Sequence, residues 1–159
     1  MIVSALALLC LTAPSAPADT DFALAWRSGE ISRDASHFET TWTLKDTTLT
    51  VHGTGSGHSA LPTEKDTEKV TTLAADALKT VAEHLAAIDA AAKKHRRKDV
   101  SREGRFTQIR YAHGKQTLEL FFPYWLDDVE HRPKNESKAR LEVLEKLEAL
   151  RAKLFAIGG

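Results

Sequence analysis

RFTQIRYAHGKQTLELFFPYW, residues 105–125, is the stretch that decides the fold. Apolar and polar side chains alternate on both sides of a His-Gly pair, which is typical of a β-hairpin that packs on a core through one face. We place a two-residue turn at His113-Gly114, because glycine accepts a positive φ at no steric cost. This turn puts Ile109 opposite Leu118.

Because side chains in a strand alternate between faces, the hairpin has one apolar and one mostly polar face. The apolar face carries Thr107, Ile109, Tyr111, Leu118, Leu120 and Phe122. The opposite face carries Gln108, Arg110, Thr117 and Glu119, with Phe106 and Phe121 at its open end. We expect this second face to be uncovered and its two phenylalanines to be exposed. The candidate binding residues are therefore Phe106, Gln108, Arg110, Glu119 and Phe121.

Two more segments on the amino-terminal side predict strands. Residues 22–27 alternate in polarity and predict a first strand that ends at residues 28–29, Ser-Gly. Residues 37–53 predict a second hairpin with its turn at Asp46-Thr47, and their threonines suit a pleated surface. A longer loop is the alternative, because these turn residues are less diagnostic than His113-Gly114.

Two helices are predicted from apolar residues that recur at helical spacing. The first spans about residues 73–93, with Thr71 or the next threonine as its cap. Residues 63–71 before it predict a charged edge strand, with an early start of this helix as the alternative. The second helix spans about residues 135–157, with Asn135 as its cap. Its apolar stripe consists of Leu141, Leu144, Leu147, Leu150, Leu154 and Ile157.

These elements predict a single α+β domain over residues 19–159, in the order β-β-β-(β)-α-β-β-α. We expect an antiparallel sheet of about five strands with the two helices packed on one face. The other face of the sheet is expected to be open and polar.

Residues 1–18 have the pattern of a signal peptide. The apolar run over residues 2–11 is shorter than the roughly 20 residues that cross a bilayer. Ala16-Pro17-Ala18 fits cleavage after Ala18, although no Lys or Arg precedes the run. Cleavage would remove the only cysteine, Cys10, and with it thiol chemistry. We expect a periplasmic or secreted protein; an N-terminal core element and a lipid anchor on Cys10 are the alternatives.

Composition and motifs favour a binding protein over an enzyme. Lys+Arg and Asp+Glu balance at 22 each, so no overall charge attracts nucleic acid or anionic membranes. The glycine run at residues 53–57 lacks the spacing of a dinucleotide-binding loop. We expect a non-enzymatic domain that binds another protein, as an inhibitor or accessory factor. No cofactor, metal, nucleic acid or stable membrane insertion is expected.

Two alternatives remain open at this stage. A metal-dependent or other hydrolase would use His37, His52 or His58, or the segment 127–131, in which Asp127, Asp128 and His131 have the residue types of a metal site. Binding of a polyanion or a lipid surface would use the basic run KKHRRK, Lys93 to Lys98. The same run is also typical of a helix C-terminus, where the macrodipole favours cations.

Overall fold

A computed structural model describes residues 19–31, 37–56, 67–95, 104–123, 126 and 136–158. The elements are β1 (Phe22–Ile31), β2 (His37–Lys45), β3 (Thr48–Ser56), β4 (Thr67–Thr72), α1 (Ala75–Ala92), β5 (Gly104–His113), β6 (Gln116–Phe122) and α2 (Lys138–Gly158). The strands form one six-stranded sheet in the order β4-β3-β2-β1-β5-β6, and every neighbouring pair is antiparallel. The α+β prediction is confirmed, with β4 as a full sixth strand.

The two helices pack on one face of the sheet, which we call the covered face. Ten of its apolar side chains are at most 4% exposed: Phe22, Leu24, Trp26, Trp42, Leu44, Leu49, Ile109, Tyr111, Leu120 and Phe122. They form one core with Val81, Leu85 and Ile88 of α1 and with Leu144, Leu147 and Leu150 of α2. Each large apolar side chain buried in this way contributes about 1.5–3 kcal/mol to folding.

The helices run in opposite directions across the strands. α1 starts next to the β2–β3 loop, where the backbone N–H of Leu73 donates to the carbonyl of Thr47 at 2.8 Å. It ends next to β5, which Asp89 contacts. α2 starts next to β6 and ends next to β3, where Gly158 lies against Leu49. The two antiparallel helices therefore cover the sheet from β3 to β6.

The β2–β3 hairpin has the predicted register. Its loop is Asp46-Thr47, and Trp42 pairs with Val51. Asp46 adopts a φ of +54°, which aspartate tolerates better than most residues. Its backbone N–H donates to Oδ1 of Asp21 at 2.7 Å, so a contact from outside the hairpin supports the loop.

The β5–β6 hairpin has a different register from the predicted one. The loop is Gly114-Lys115 rather than His113-Gly114, so Ile109 pairs with Leu120. Gly114, with φ of +54°, stands at the first loop position, where a type II′ turn requires glycine. The partner strand is shifted by two residues, and an even shift leaves every side chain on its predicted face.

β1 extends further than predicted. It continues through residues 28–29 to Ile31, because it is hydrogen-bonded on both sides. Gly29 pairs with His37 of β2 and with Phe106 of β5, so two neighbouring strands hold a residue that would weaken an isolated strand.

The helix starts also differ from the sequence prediction. β4 begins at Thr67 and includes both threonines expected to cap α1, so the N-cap is Ala74, which makes no side-chain capping bond. Residues 63–66 lie outside the described part of the chain. α2 is capped by Ser137, whose Oγ accepts the backbone N–H of Arg140 at 3.3 Å. The predicted cap Asn135 lies outside the described residues.

The apolar stripe of α2 is rotated relative to the prediction. Val143 is fully buried, whereas Leu141 is 42% exposed. The helix therefore turns its 143, 144, 147, 150 and 154 positions towards the sheet, and Leu141 lies on the solvent side of that stripe.

Candidate binding surface on the open face of the sheet

The open face is the face of the sheet opposite the helices. Alternation and the observed registers place these side chains on it: Ala23, Ala25, Arg27, Glu39, Thr41, Thr43, Thr50, His52, Gln108, Arg110, Ala112, Thr117 and Glu119. Each of them is half-buried or exposed, in contrast to the buried residues at the same depth on the covered face. No described helix covers this part of the sheet.

Three alanines form a floor in the middle of the open face. Ala23 pairs with Ala112, and Ala25 follows on the same face of β1. Because their side chains end at Cβ, the neighbouring residues Arg110 and Thr117 stand higher and leave a depression. Together with its continuation around the edge of the sheet, this depression measures about 650 Å³.

The depression continues past the sheet. Its lining includes Thr117 and Glu119 on the open face, and also Leu118, Ala92 and His95 on the helix side. Since β6 is an edge strand, these two parts are joined around its outer edge. We refer to this region as the β6 groove.

Ordered polar contacts form the rim of the depression. Arg110 Nη2 donates to Glu39 Oε1 at 3.0 Å, which links β5 to β2 across β1. Gln108 Nε2 donates to Glu119 Oε1 at 2.6 Å. Three of the five residues predicted to bind a partner, Gln108, Arg110 and Glu119, therefore lie together at this rim.

The two predicted phenylalanines lie on the open face, but the expected exposure of Phe106 is wrong. Phe106 is only 7% exposed. The ring of Phe121 stacks on it at 5.8 Å between centroids with 9° between planes, and the guanidinium of Arg27 lies 5.6 Å from its centroid. Phe121 itself is half-buried. The pair forms a supporting layer beside the rim, because stacking covers one ring with the other.

A second polar cluster, which the sequence did not predict, lies at the C-terminal end of β5. Asp89 of α1 accepts a 2.9 Å hydrogen bond from the Tyr111 hydroxyl and a 2.7 Å contact from Nδ1 of His113. Nε2 of His113 donates to the backbone carbonyl of Asp19 at 2.9 Å. The cluster joins the N-terminal segment, β5 and α1. No local sequence pattern brings residues so far apart in the chain together.

Burial, hydrogen bonds and the Asp89 charge shift the pKa values of His113 and Tyr111 in this cluster. Burial lowers the pKa of His113, but hydrogen bonds to the Asp19 carbonyl and the Asp89 carboxylate outweigh burial and raise it above its usual value. Burial, together with Asp89, raises the pKa of Tyr111 far above its ordinary range. Both ring nitrogens of His113 face acceptors, so the imidazolium form is the one that satisfies both. A histidine held in this way is not free to act as a general base.

The residues proposed for a metal-dependent hydrolase do not meet within the described chain. Thr41, not His37, pairs with His52, as the predicted turn required. His37 and His52 stand four positions apart along the ladder, about 14 Å. Among the described residues no group of three or more His, Cys, Asp or Glu could hold a metal ion. His58 and residues 127–131 lie outside the described residues.

Only three members of the basic run belong to the described chain. Lys93 and Lys94 are exposed, and Nζ of Lys94 lies 3.6 Å from Glu142 of α2. Burial and the nearby Arg140 charge lower the pKa of His95, which favours its neutral form. Lys94 is thus paired with Glu142, and His95 is uncharged near neutral pH. Neither described helix is long and apolar enough to cross a membrane.

The sequence matches no protein-family model and no curated protein. Any functional assignment therefore depends on the surface itself, because the fold class alone carries no activity.

Proposed function

We propose that this protein is a non-enzymatic binding domain that uses the open face of its sheet to bind another protein. The observation that carries the proposal is the alanine floor beside the ordered rim of Arg110, Glu39, Gln108 and Glu119. An uncovered sheet face with a concave apolar centre and polar edges has the layout of a protein interface, in which an apolar core is surrounded by a polar rim.

The shape of the depression favours a protein over a small molecule. Pockets for small ligands enclose most of the ligand surface. Here the floor lies on the surface of the sheet, and the rim residue Arg110 has a side chain that is 55% exposed. The rim also presents charges of both signs, which suits electrostatic matching to a partner surface.

We further propose that the protein acts after export, with cleavage near Ala18. The apolar run and the small residues before Asp19 support this proposal. Mass spectrometry of the protein recovered from the cell envelope or the medium checks it. A mature chain that starts at Asp19 is expected, and an intact Met1 or a lipid on Cys10 would contradict it.

A capture experiment with two arginine variants tests the binding proposal. Ala112→Arg fills the floor of the depression, while Thr72→Arg adds the same side chain to the open face at the opposite edge of the sheet. We expect the wild type and Thr72→Arg to capture the same partner from the export compartment, and Ala112→Arg to lose it. The wild type and both variants should melt at similar temperatures. Equal capture by the three, or none by any, would refute the proposal.

A further inference from the structure

We infer that the outer edge of β6 accepts an extended segment of the partner protein as an additional strand. This inference rests on the proposed function and specifies how the partner binds. Strand addition uses free backbone donors and acceptors for affinity and side-chain positions on alternate faces for specificity. The β6 groove offers both.

The hairpin geometry identifies the free backbone groups of β6. His113 and Gln116 flank the two-residue loop, so they form a hydrogen-bonded pair, and such pairs alternate along an antiparallel ladder. The N–H and C=O groups of Thr117, Glu119 and Phe121 therefore point away from β5. One contact supports this assignment independently: the carbonyl of Phe121 accepts a hydrogen bond from the Arg140 side chain of α2.

Arg140 also marks where the free edge ends. Arg140 is only 5% exposed, and its guanidinium lies 4.3 Å from the centroid of the Phe122 ring. Its Nε lies 3.1 Å from Oε2 of Glu136 and forms an ion pair with it, but the two atoms do not have hydrogen-bond geometry. At the other end, the edge stops at the loop residues Gly114 and Lys115. Among the described residues, the part of this edge with no neighbouring strand is residues 116–120, about 17 Å long. Along it the Thr117 carbonyl accepts a 3.4 Å hydrogen bond from Nε2 of Gln116, and its second lone pair is left for an added strand.

The two sides of the groove indicate the chemistry of the added strand. On the helix side, Leu118 is only half-buried and faces Ala92 and His95, which suits an apolar side chain. On the open face, the exposed Glu119 accepts a hydrogen bond from Gln108 but has no cation at ion-pair distance among the described residues. Arg110, directly opposite Glu119, is instead paired with Glu39. The segment that fits alternates apolar and basic residues.

The opposite edge of the sheet lacks these features. β4 is exposed at five of its six positions, and none of its residues lines the groove. Its exposed Glu68 and Lys69 protect it, since charges on an edge strand discourage pairing. The two edges therefore differ in the side chains that an added strand would meet.

Binding of a synthetic peptide tests the inference directly. The probe is Ac-TVKVKVT-NH2, and the control peptide Ac-TVEVEVT-NH2 replaces each lysine by glutamate. We expect the lysine peptide to slow amide hydrogen exchange at Thr117 and Glu119, and to bind at least tenfold more tightly than the control. No binding, equal binding of the two peptides, or protection of Glu68 and Val70 instead would overturn the inference.

Two substitutions at one position separate backbone pairing from side-chain recognition. Glu119→Pro removes an outward N–H, which an edge strand tolerates because that group does not pair with β5. Glu119→Thr keeps the N–H and removes the carboxylate. We expect Glu119→Pro to abolish peptide binding and Glu119→Thr to weaken it about tenfold. Thr117→Pro repeats the test if Glu119→Pro does not fold. Unchanged binding by a folded proline variant would refute strand addition.

The same variants distinguish this inference from the proposed function. If Ala112→Arg loses the captured partner and folded Glu119→Pro retains it, open-face binding stands and strand addition is refuted. If sedimentation shows a dimer of the wild type that Glu119→Pro converts to monomer, the occupant is a second copy and the inference of a separate partner is overturned. Loss of capture in Ala112→Arg and Glu119→Pro, with capture kept in part by Glu119→Thr, supports the inference, because Glu119→Thr also lacks the carboxylate but keeps the backbone N–H.

Discussion

The covered and open faces of the sheet belong to the same strands but differ in the surroundings of their side chains. On the covered face, residues such as Leu24, Trp42 and Phe122 have lost nearly all contact with solvent. On the open face, Thr43, Arg110 and Thr117 are exposed to solvent, and Arg110 pairs with Glu39. The covered face therefore provides most of the free energy of folding, because burial of apolar surface is the main favourable contribution.

The largest expected effect compares two leucines three residues apart on α2. Leu144 is 1% exposed and Leu141 is 42% exposed. We expect Leu144→Ala to lower the free energy of unfolding by about 2–5 kcal/mol, because it leaves a cavity in the core. Leu141→Ala should cost roughly 0.5 kcal/mol. Urea denaturation monitored by tryptophan fluorescence measures both, and equal losses would contradict the observed rotation of α2.

The second-largest expected effect concerns the polar cluster of Asp89, Tyr111 and His113. Asp89→Ala removes the acceptor of the Tyr111 hydroxyl and the carboxylate beside His113. Tyr111 is only 2% exposed, so its hydroxyl would be left without a partner. We expect a loss of about 2–3 kcal/mol in the free energy of unfolding. The double variant Asp89→Ala with Tyr111→Phe should recover part of that loss; a double variant less stable than Asp89→Ala alone would speak against this account.

The pH dependence of stability tests the charge on His113. Its pKa is raised in the folded protein, so its contribution is fully present below the unfolded pKa of about 6.5 and is lost as pH rises through the folded value. The groups that face it are Asp89 from α1, the Asp19 carbonyl and carboxylate, and Tyr111 on β5.

We therefore expect His113→Gln to destabilise the fold by about 1–2 kcal/mol near pH 5.5 and by less above pH 8. The difference between variant and wild type is the quantity to measure, because His95 has a lowered pKa and changes stability in the opposite direction with pH. Thermal unfolding across this pH range provides the measurement, and a constant difference would argue against a protonated His113.

The sequence predicted which face of the sheet each side chain lies on better than it predicted the register between strands. Alternation assigned Ile109, Leu120 and Arg110 to the correct faces, because an even shift in register preserves them. It misplaced the turn, since His-Gly and Gly-Lys both offer a glycine, at different loop positions. The turn at Asp46-Thr47 was predicted correctly, although its residue types also allowed a longer loop, because this turn pairs Leu44 with Leu49 and Trp42 with Val51 on one face.

The candidate site was only partly predictable for a related reason. Gln108, Arg110 and Glu119 belong to one hairpin, so their shared face follows from local alternation. The alanine floor combines Ala23 with Ala112, which meet only through the β1–β5 pairing. That pairing joins distant parts of the chain, and a single sequence carries no local signal for it. The burial of Phe106 likewise depends on Arg27 from β1.

The smallest expected effect concerns the ion pair on the open face. Arg110 and Glu39 meet at 3.0 Å, but their side chains are 55% and 23% exposed. A double-mutant cycle with Arg110→Ala and Glu39→Ala should give a coupling of about 0.2–1 kcal/mol, further reduced in 1 M salt, because solvent and counterions screen exposed pairs. A coupling of several kcal/mol would mean that the open face also holds the fold together. A small coupling would mean that the pair of Arg110 and Glu39 contributes little to the stability of the fold.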